Sequence, residues 1–174
     1  MARVTTVKKA QKDYPNAGIK KGDQYYWWKF RYGGKHMSKV YPKPSQLTGS
    51  SFLSSIYGAL ESIENLKADA SAEDIAADLR QASEEIQEQA DETERNFSNM
   101  PYGLQQGDTG QMMEQRVSDA GELASSFESL ADEADGLKDE EKEDGESDED
   151  YAERIDAEKQ RIIDEAQALS YDGE

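Results

Sequence analysis

The 174-residue chain contains no cysteine and a single histidine. The first absence excludes disulfides and thiolate-held metal. The second leaves His36 with no histidine to share a metal and no nearby carboxylate to complete a site, so it reads as a surface residue of a hairpin. Apolar residues are few, at 35%, against roughly 45–50% in ordinary globular domains. That excludes a large buried core and points to paired helices with a narrow apolar seam. No apolar run approaches the roughly 20 residues that cross a bilayer, and residues 1–12 lack the apolar centre of a signal peptide. The expectation is a cytoplasmic, soluble protein with no membrane partner.

Several chemistries lack their parts as well. Gly33-Gly34 is followed by neither a helix nor a Lys-Ser/Thr pair, so there is no phosphate-cradling loop. The acidic run Asp139 to Asp150 lacks the ligand spacing and glycine placement of a calcium loop. Carboxylates are so abundant that any catalytic pair would be arbitrary, and acid–base work needs perturbed groups in a water-excluding pocket. The expectation is a non-enzymatic protein with no catalytic residues, no cofactor and no metal.

What is present is a division of charge. The net charge of −18 combines two opposite segments. Residues 1–45 hold eleven Lys and Arg against Asp13 and Asp23, a balance of +9, while the rest holds nine bases against 36 acids, or −27. Eight of the fifteen aromatic residues also fall in the basic segment.

Arg3 to Val7 is β-branched and suits a strand. Lys8 to Asp23 is turn-like, with Pro15-Asn16-Ala17-Gly18 and Lys20-Lys21-Gly22-Asp23. Tyr25 to Tyr32, then Gly33-Gly34, then Lys35 to Tyr41 read as a β-hairpin, with the glycines supplying a tight turn of positive φ. Alternation puts Tyr26, Trp28, Phe30 and Tyr32 on one face, able to bury. Tyr25, Trp27, Lys29 and Arg31 take the other, joined across the turn by His36 and Ser38. This second face is cationic and aromatic, with Trp27 lacking an obvious core to join, and suits contact with phosphates and bases.

Pro42-Lys43-Pro44 ends the hairpin, and the period becomes helical from Phe52, through Ile56, Leu60, Ile63 and Leu66. Ser71 with Asp74 resembles a capping box. Beyond it Ile75, Leu79, Ala82, Ile86, Ala90, Thr93 and Phe97 form one stripe, and Met113, Val117, Ala120, Ala124, Phe127, Leu130 or Ala131, Ala134 and Leu137 another. Two such helices joined by about ten residues make an antiparallel αα-hairpin of coiled-coil type. The joining loop has Gly and Pro for reversal and Leu104 to anchor it. Lys138 to Asp150 contains nine acids and nothing apolar, and is expected as a flexible linker or frayed helix. Tyr151, Ile155, Ile162, Ala166 and Leu169 define a last amphipathic helix.

The expected organisation is therefore a basic aromatic β module over 1–50 and an acidic helical body over 51–137, with its hairpin at 71–98 and 109–137. A linker at 138–150 and a helix over 151–174 complete it. The fold class is α+β, mostly α, with a small N-terminal β-hairpin or three-stranded sheet.

Residues Tyr26-Trp27-Trp28-Lys29-Phe30-Arg31-Tyr32-Gly33-Gly34-Lys35, with Ser38, Tyr41-Pro42 and Ser45, resemble the arm-site DNA-binding element of phage tyrosine integrases. The resemblance covers about 25 residues and implies a small sheet lying on DNA. It carries over a binding role for Lys29, Arg31 and Lys35, and no recombinase activity, because nothing of the catalytic domain follows. Around Ser45-Gln46-Leu47-Thr48 and Asn99-Met100-Pro101-Tyr102-Gly103-Leu104-Gln105-Gln106-Gly107-Asp108-Thr109-Gly110 the chain is similar to uncharacterised proteins of tailed bacteriophages, which implies a phage origin.

The leading expectation is a phage-type nucleic-acid-associated binding protein, with DNA ahead of RNA. Lys29, Arg31, Lys35 and Lys39 would contact phosphate, and Trp27 and Tyr25 would stack. The acidic helices would serve self-association, as in a homo-oligomer, or recruit a basic host protein. The alternatives are an anti-defence inhibitor whose acidic helices mimic DNA toward a host enzyme, and a structural phage component.

Overall fold

A computed structural model describes residues 1–173, with a three-stranded antiparallel sheet ahead of a series of helices. The expected α+β, mostly α class is what it shows. The chain divides into two compact units, Met1–Gly58 and the residues from Ala59 onward. Each is described in turn.

In the first unit the strands are β1 (Thr5–Val7), β2 (Tyr25–Lys29) and β3 (Lys35–Ser38), with β2 central. Threonine, valine and the aromatic run favour extended backbone because their bulk packs well on a pleated surface. Trp27 pairs with Thr5 on one side and Met37 on the other, and Lys29 pairs with Lys35.

This register overturns part of the facial assignment. A two-residue turn at Gly33-Gly34 would set Arg31 opposite His36. Instead five residues, 30–34, connect β2 to β3, with the Gly33 N–H donating to the Phe30 carbonyl at 3.3 Å. Neither glycine has positive φ. The pairing is thereby displaced by three positions, and an odd displacement moves every β3 side chain to the opposite face. His36 and Ser38 consequently join Trp28 and Tyr26, while Lys35 and Met37 join Trp27, Tyr25 and Lys29. His36 is exposed, as expected, and its ring stacks on buried Trp28 at 5.5 Å and 16°.

The turn-rich segment between β1 and β2 folds into an ordered lobe. Tyr14 and Ile19 form an antiparallel bridge around a 3-10 turn at Pro15–Ala17, closed by Gly18 at φ 64°. The Ala10 N–H donates to Asp23 O at 2.8 Å, and Gly22 N–H returns to Ala10 O at 2.9 Å. Asp13 and Asp23 accept from the backbone of Lys21 and Lys20. The lobe contributes Ala10 and Ile19 to a small core with Tyr25, against which Val7, Tyr14, Ala17, Trp27 and Met37 pack. Helices α1 (Pro44–Leu47) and α2 (Ser51–Ile63) follow, and within this unit they bury Leu47, Phe52 and Ile56.

The second unit is built on α3 (Ala72–Ser98) and α5 (Asp108–Gly136), which pack along their length, with α4 (Tyr102–Gln105) at the turn. Most of the predicted stripes are buried, Ile75, Leu79, Ala82, Ile86 and Ala90 from α3 and Ala120, Ala124, Phe127, Leu130, Ala131 and Ala134 from α5, whereas Thr93, Phe97, Met113, Val117 and Leu137 at their ends are only half-buried. Buried Ser83 Oγ donates to Ala124 O at 2.8 Å, joining the two helices where neither has a bulky side chain. Ser71 Oγ accepts from Asp74 N–H at 3.0 Å and caps α3 as expected.

Leu104 does not anchor the turn: it is 58% exposed. The amide of Gln105 performs that task, donating to the carbonyls of Phe97 (3.2 Å) at the end of α3 and Met100 (2.9 Å) just beyond it.

Helix α6 spans Asp148–Ala168, capped by Ser147, so it takes up the last residues of the expected linker. The remainder of the acidic run is tied back rather than loose. Arg154 donates to Glu140 (2.7 Å), Glu146 (3.0 Å) and the carbonyl of Glu141, and Tyr151 O–H donates to Glu140 O. The Arg154 hydrogen bond holds the Glu146 carboxyl below the ordinary carboxylate range. At the far end Gln167 Nε2 donates to the carbonyls of Ile63 (3.1 Å) and Glu64 (3.4 Å), capping the C-terminus of α2.

Candidate nucleic-acid interface

Six residues are expected to contact nucleic acid, and the sheet separates them. Tyr25 is removed from contact: it is buried in the small core, its ring 5.6 Å from Tyr14, and cannot stack on a base. The lobe over residues 8–24 buries it, which also supplies the core that Trp27 seemed to lack. Trp27 is partly buried there, and Lys35 Nζ sits 4.3 Å from its ring centroid. Lys39 is ion-paired with Asp23 at 2.6 Å, and that hydrogen bond lowers the Asp23 pKa.

Lys29, Arg31 and Lys35 remain exposed, and none has an ion-pair partner among the described residues. Lys29 and Lys35 are directly opposed across β2 and β3. Arg3 lies just before β1, whose pairing with β2 begins at Thr5↔Trp27.

Arg3, Lys29 and Arg31, with Phe30, Thr48 and Gly49, also line an open cleft of about 390 Å³ whose lining contains no carboxylate. Past the end of β2, Arg31 and Tyr32 stand on the connecting loop. Tyr32 is 91% exposed, and the Arg31 guanidinium lies 5.3 Å from its ring centroid.

Sequence reasoning did not select Arg3 and Tyr32. Arg3 was legible only through the folding together of residues more than twenty positions apart. Tyr32 was assigned to the burying face by alternation, which ceases to apply once β2 ends at Lys29.

The helical unit presents the opposite surface. Helices α3 and α5 carry seventeen acids and three arginines. Arg80 engages Asp132 (3.0 Å) and Asp135 (3.2 Å), and Arg161 of α6 engages Glu133 (2.7 Å). These pairs gather at one end of the hairpin. Toward the α4 turn, Glu84, Glu85, Glu88, Asp91, Glu92, Glu94, Asp108, Glu114 and Glu122 are exposed, with Arg95 and Arg116 for balance. No group of three or more His, Cys, Asp or Glu among the described residues could hold a metal ion, and no described helix is long and apolar enough to cross a membrane. Set against family models, curated proteins and solved structures, the chain matches none.

Proposed function

We propose that this is a non-enzymatic nucleic-acid-associated binding protein whose N-terminal sheet carries the contact surface. The observation that carries the reading is the opposed pair Lys29 and Lys35, with Arg3 and Arg31 in the cleft that Lys29 also lines. Like charges directly opposite on a sheet destabilise it, and no carboxylate among the described residues relieves this pair. A phosphate backbone laid across the pair would. The net charge of −18 does not forbid it. Residues 1–45 carry a balance of +9, and it is this local charge that a bound phosphate meets first. The residue resemblances noted around Tyr26–Lys35 and Asn99–Gly110 support a phage-type setting.

Titration of the full chain with labelled oligonucleotides across a salt series tests this. Binding is expected to weaken with a log–log slope of about −2 to −4, as three or four phosphate contacts require. Lys29→Ala with Lys35→Ala should reduce that slope by about 2. Absence of binding at 50 mM salt, or a slope unchanged in the double variant, would overturn the proposal.

A second reading is favoured by the unneutralised carboxylates near the α4 turn, beside exposed Tyr102 and Leu104. Acid around an apolar tip suits a basic protein partner, as an inhibitor of a nucleic-acid enzyme would need. Replacing Glu85, Glu88, Glu92 and Glu114 by Lys should then abolish capture of that partner while leaving oligonucleotide affinity intact. Loss of oligonucleotide binding in this variant would speak against a separate protein-binding surface.

A further inference from the structure

The proposal above leaves open what form of nucleic acid the sheet takes, and the loop between β2 and β3 bears on this. Resting on that reading, we infer that the sheet binds a single strand: the Arg3–Lys29–Arg31 cleft holds phosphate, and Tyr32 is the platform on which an unpaired base stacks.

Three features support the assignment. First, Tyr32 is 91% exposed, the highest exposure of any large apolar or aromatic residue described. Exposing a whole aromatic ring forgoes its burial, and a ring left in water beside cations is suited to taking a ligand's flat face. Second, Arg31 holds one side of the ring at 5.3 Å. That contact orients the platform, and it places a guanidinium where the phosphate of the stacked nucleotide would lie. Third, the cleft beginning at Lys29 and Arg31 continues to Arg3, Thr48 and Gly49 without a carboxylate. A cationic cleft beside an exposed ring is the pairing used by single-strand binders, which combine a cationic groove with stacking side chains.

A duplex fits this arrangement less well. Its bases are stacked on one another, and a ring standing at the tip of a loop reaches their faces only after unstacking them, which is unfavourable. Trp27 does not compete for the stacking role, because it is partly buried under Lys35 and the lobe.

The test uses the full chain with three labelled probes of equal length: a 12-nucleotide oligo-dT, a 12-nucleotide oligo-U and a 12-base-pair mixed-sequence duplex. Fluorescence anisotropy is read from 50 to 300 mM salt. Either single strand should bind at least tenfold more tightly than the duplex, with a slope of about −2 to −3, and the tighter of the two identifies DNA or RNA as the source. Tyr32→Ala should weaken single-strand binding by roughly 5- to 100-fold, the worth of one stacked base, with the slope unchanged. Tyr32→Phe should keep affinity within about twofold. Arg3→Ala and Arg31→Ala should each flatten the slope by about 0.7.

Tyr32 touches no core residue, so unchanged circular dichroism will show that the fold survives its replacement. Duplex binding equal to or tighter than single-strand binding, or a Tyr32→Ala variant of undiminished affinity, would overturn the single-strand assignment while leaving nucleic-acid binding in place. Failure of all three probes to bind would remove both.

Discussion

Replacing Phe127 by alanine will lower the stability of the helical unit by about 3–5 kcal/mol. Phe127 is fully buried and heads the largest fully buried side chains. Its neighbours in the seam explain why the loss falls at the upper end for a core truncation. Ala76, Ala82, Ala90, Ala120, Ala124, Ala131 and Ala134 are all buried. Alanines let two backbones approach closely but bring little apolar area, so the few large side chains supply most of the burial. They also cannot extend into a vacated space, and a cavity that does not collapse adds to the cost of the lost methylenes. At roughly 4 °C per kcal/mol for a unit of this size, the helical melting transition should fall by about 10–20 °C, measured by far-ultraviolet circular dichroism. A drop under about 4 °C would mean that the seam repacks around the gap. It would then be plastic, contrary to the close packing described.

The second large effect is expected from a single added methyl group. Gly110 lies in the first turn of α5, buried against the α4 turn. A Cβ at this position would stand 1.9 Å from Gln105 O, 2.5 Å from its carbonyl carbon and 2.7 Å from its Cα. These are backbone atoms, so no rotamer change relieves the clash. The same Gln105 uses its amide to hold the carbonyls of Phe97 and Met100 at the end of α3. Gly110→Ala must therefore push α4 away and strain the contacts that close the hairpin. The expected loss is about 3 kcal/mol, the high end for overpacking. Alanine is the better helix former by about 1 kcal/mol, so a destabilised variant isolates the clash from propensity. Gly121→Ala is the control. It lies in the same helix with open space around its Cβ and should gain stability. Equal melting temperatures for the two variants would refute the close approach. Hydrogen exchange at residues 97–110 should rise in Gly110→Ala alone.

The two halves of the chain were unequally legible. In α3 and α5 a spacing of three and four residues is enough to name the buried face, because each helix turn repeats the same geometry. Thus Ile75, Leu79, Ile86, Phe127 and Ala134 were identifiable in advance, as was the Ser71 cap. The site was less legible. Lys29, Arg31 and Lys35 were foreseen from charge and strand alternation and stand exposed without an ion-pair partner among the described residues. Tyr25 was placed on the contact face, yet it is covered by a lobe whose Ala10 and Ile19 lie fifteen and six residues earlier in sequence. Leu104 looked like an anchor because it is apolar, but a polar side chain with the right reach, Gln105, bonds the carbonyls of Phe97 and Met100.

From its sequence alone this protein had its class determined: charge of opposite sign at its two ends, a short aromatic sheet, and long helices with thin seams. Composition and local periodicity dictate these, since helix and strand geometry repeat within a few residues. What the tertiary structure decided was which cations and rings share a surface. The five-residue connection at residues 30–34 set the register by an odd displacement, which moved Ser38 away from Lys29 and brought Lys35 to it. The folding of the N-terminal unit then brought Arg3 into one cleft with Lys29 and Arg31. Strand register and the burial of Tyr25 depend on contacts between distant residues, and such contacts leave no period along the chain.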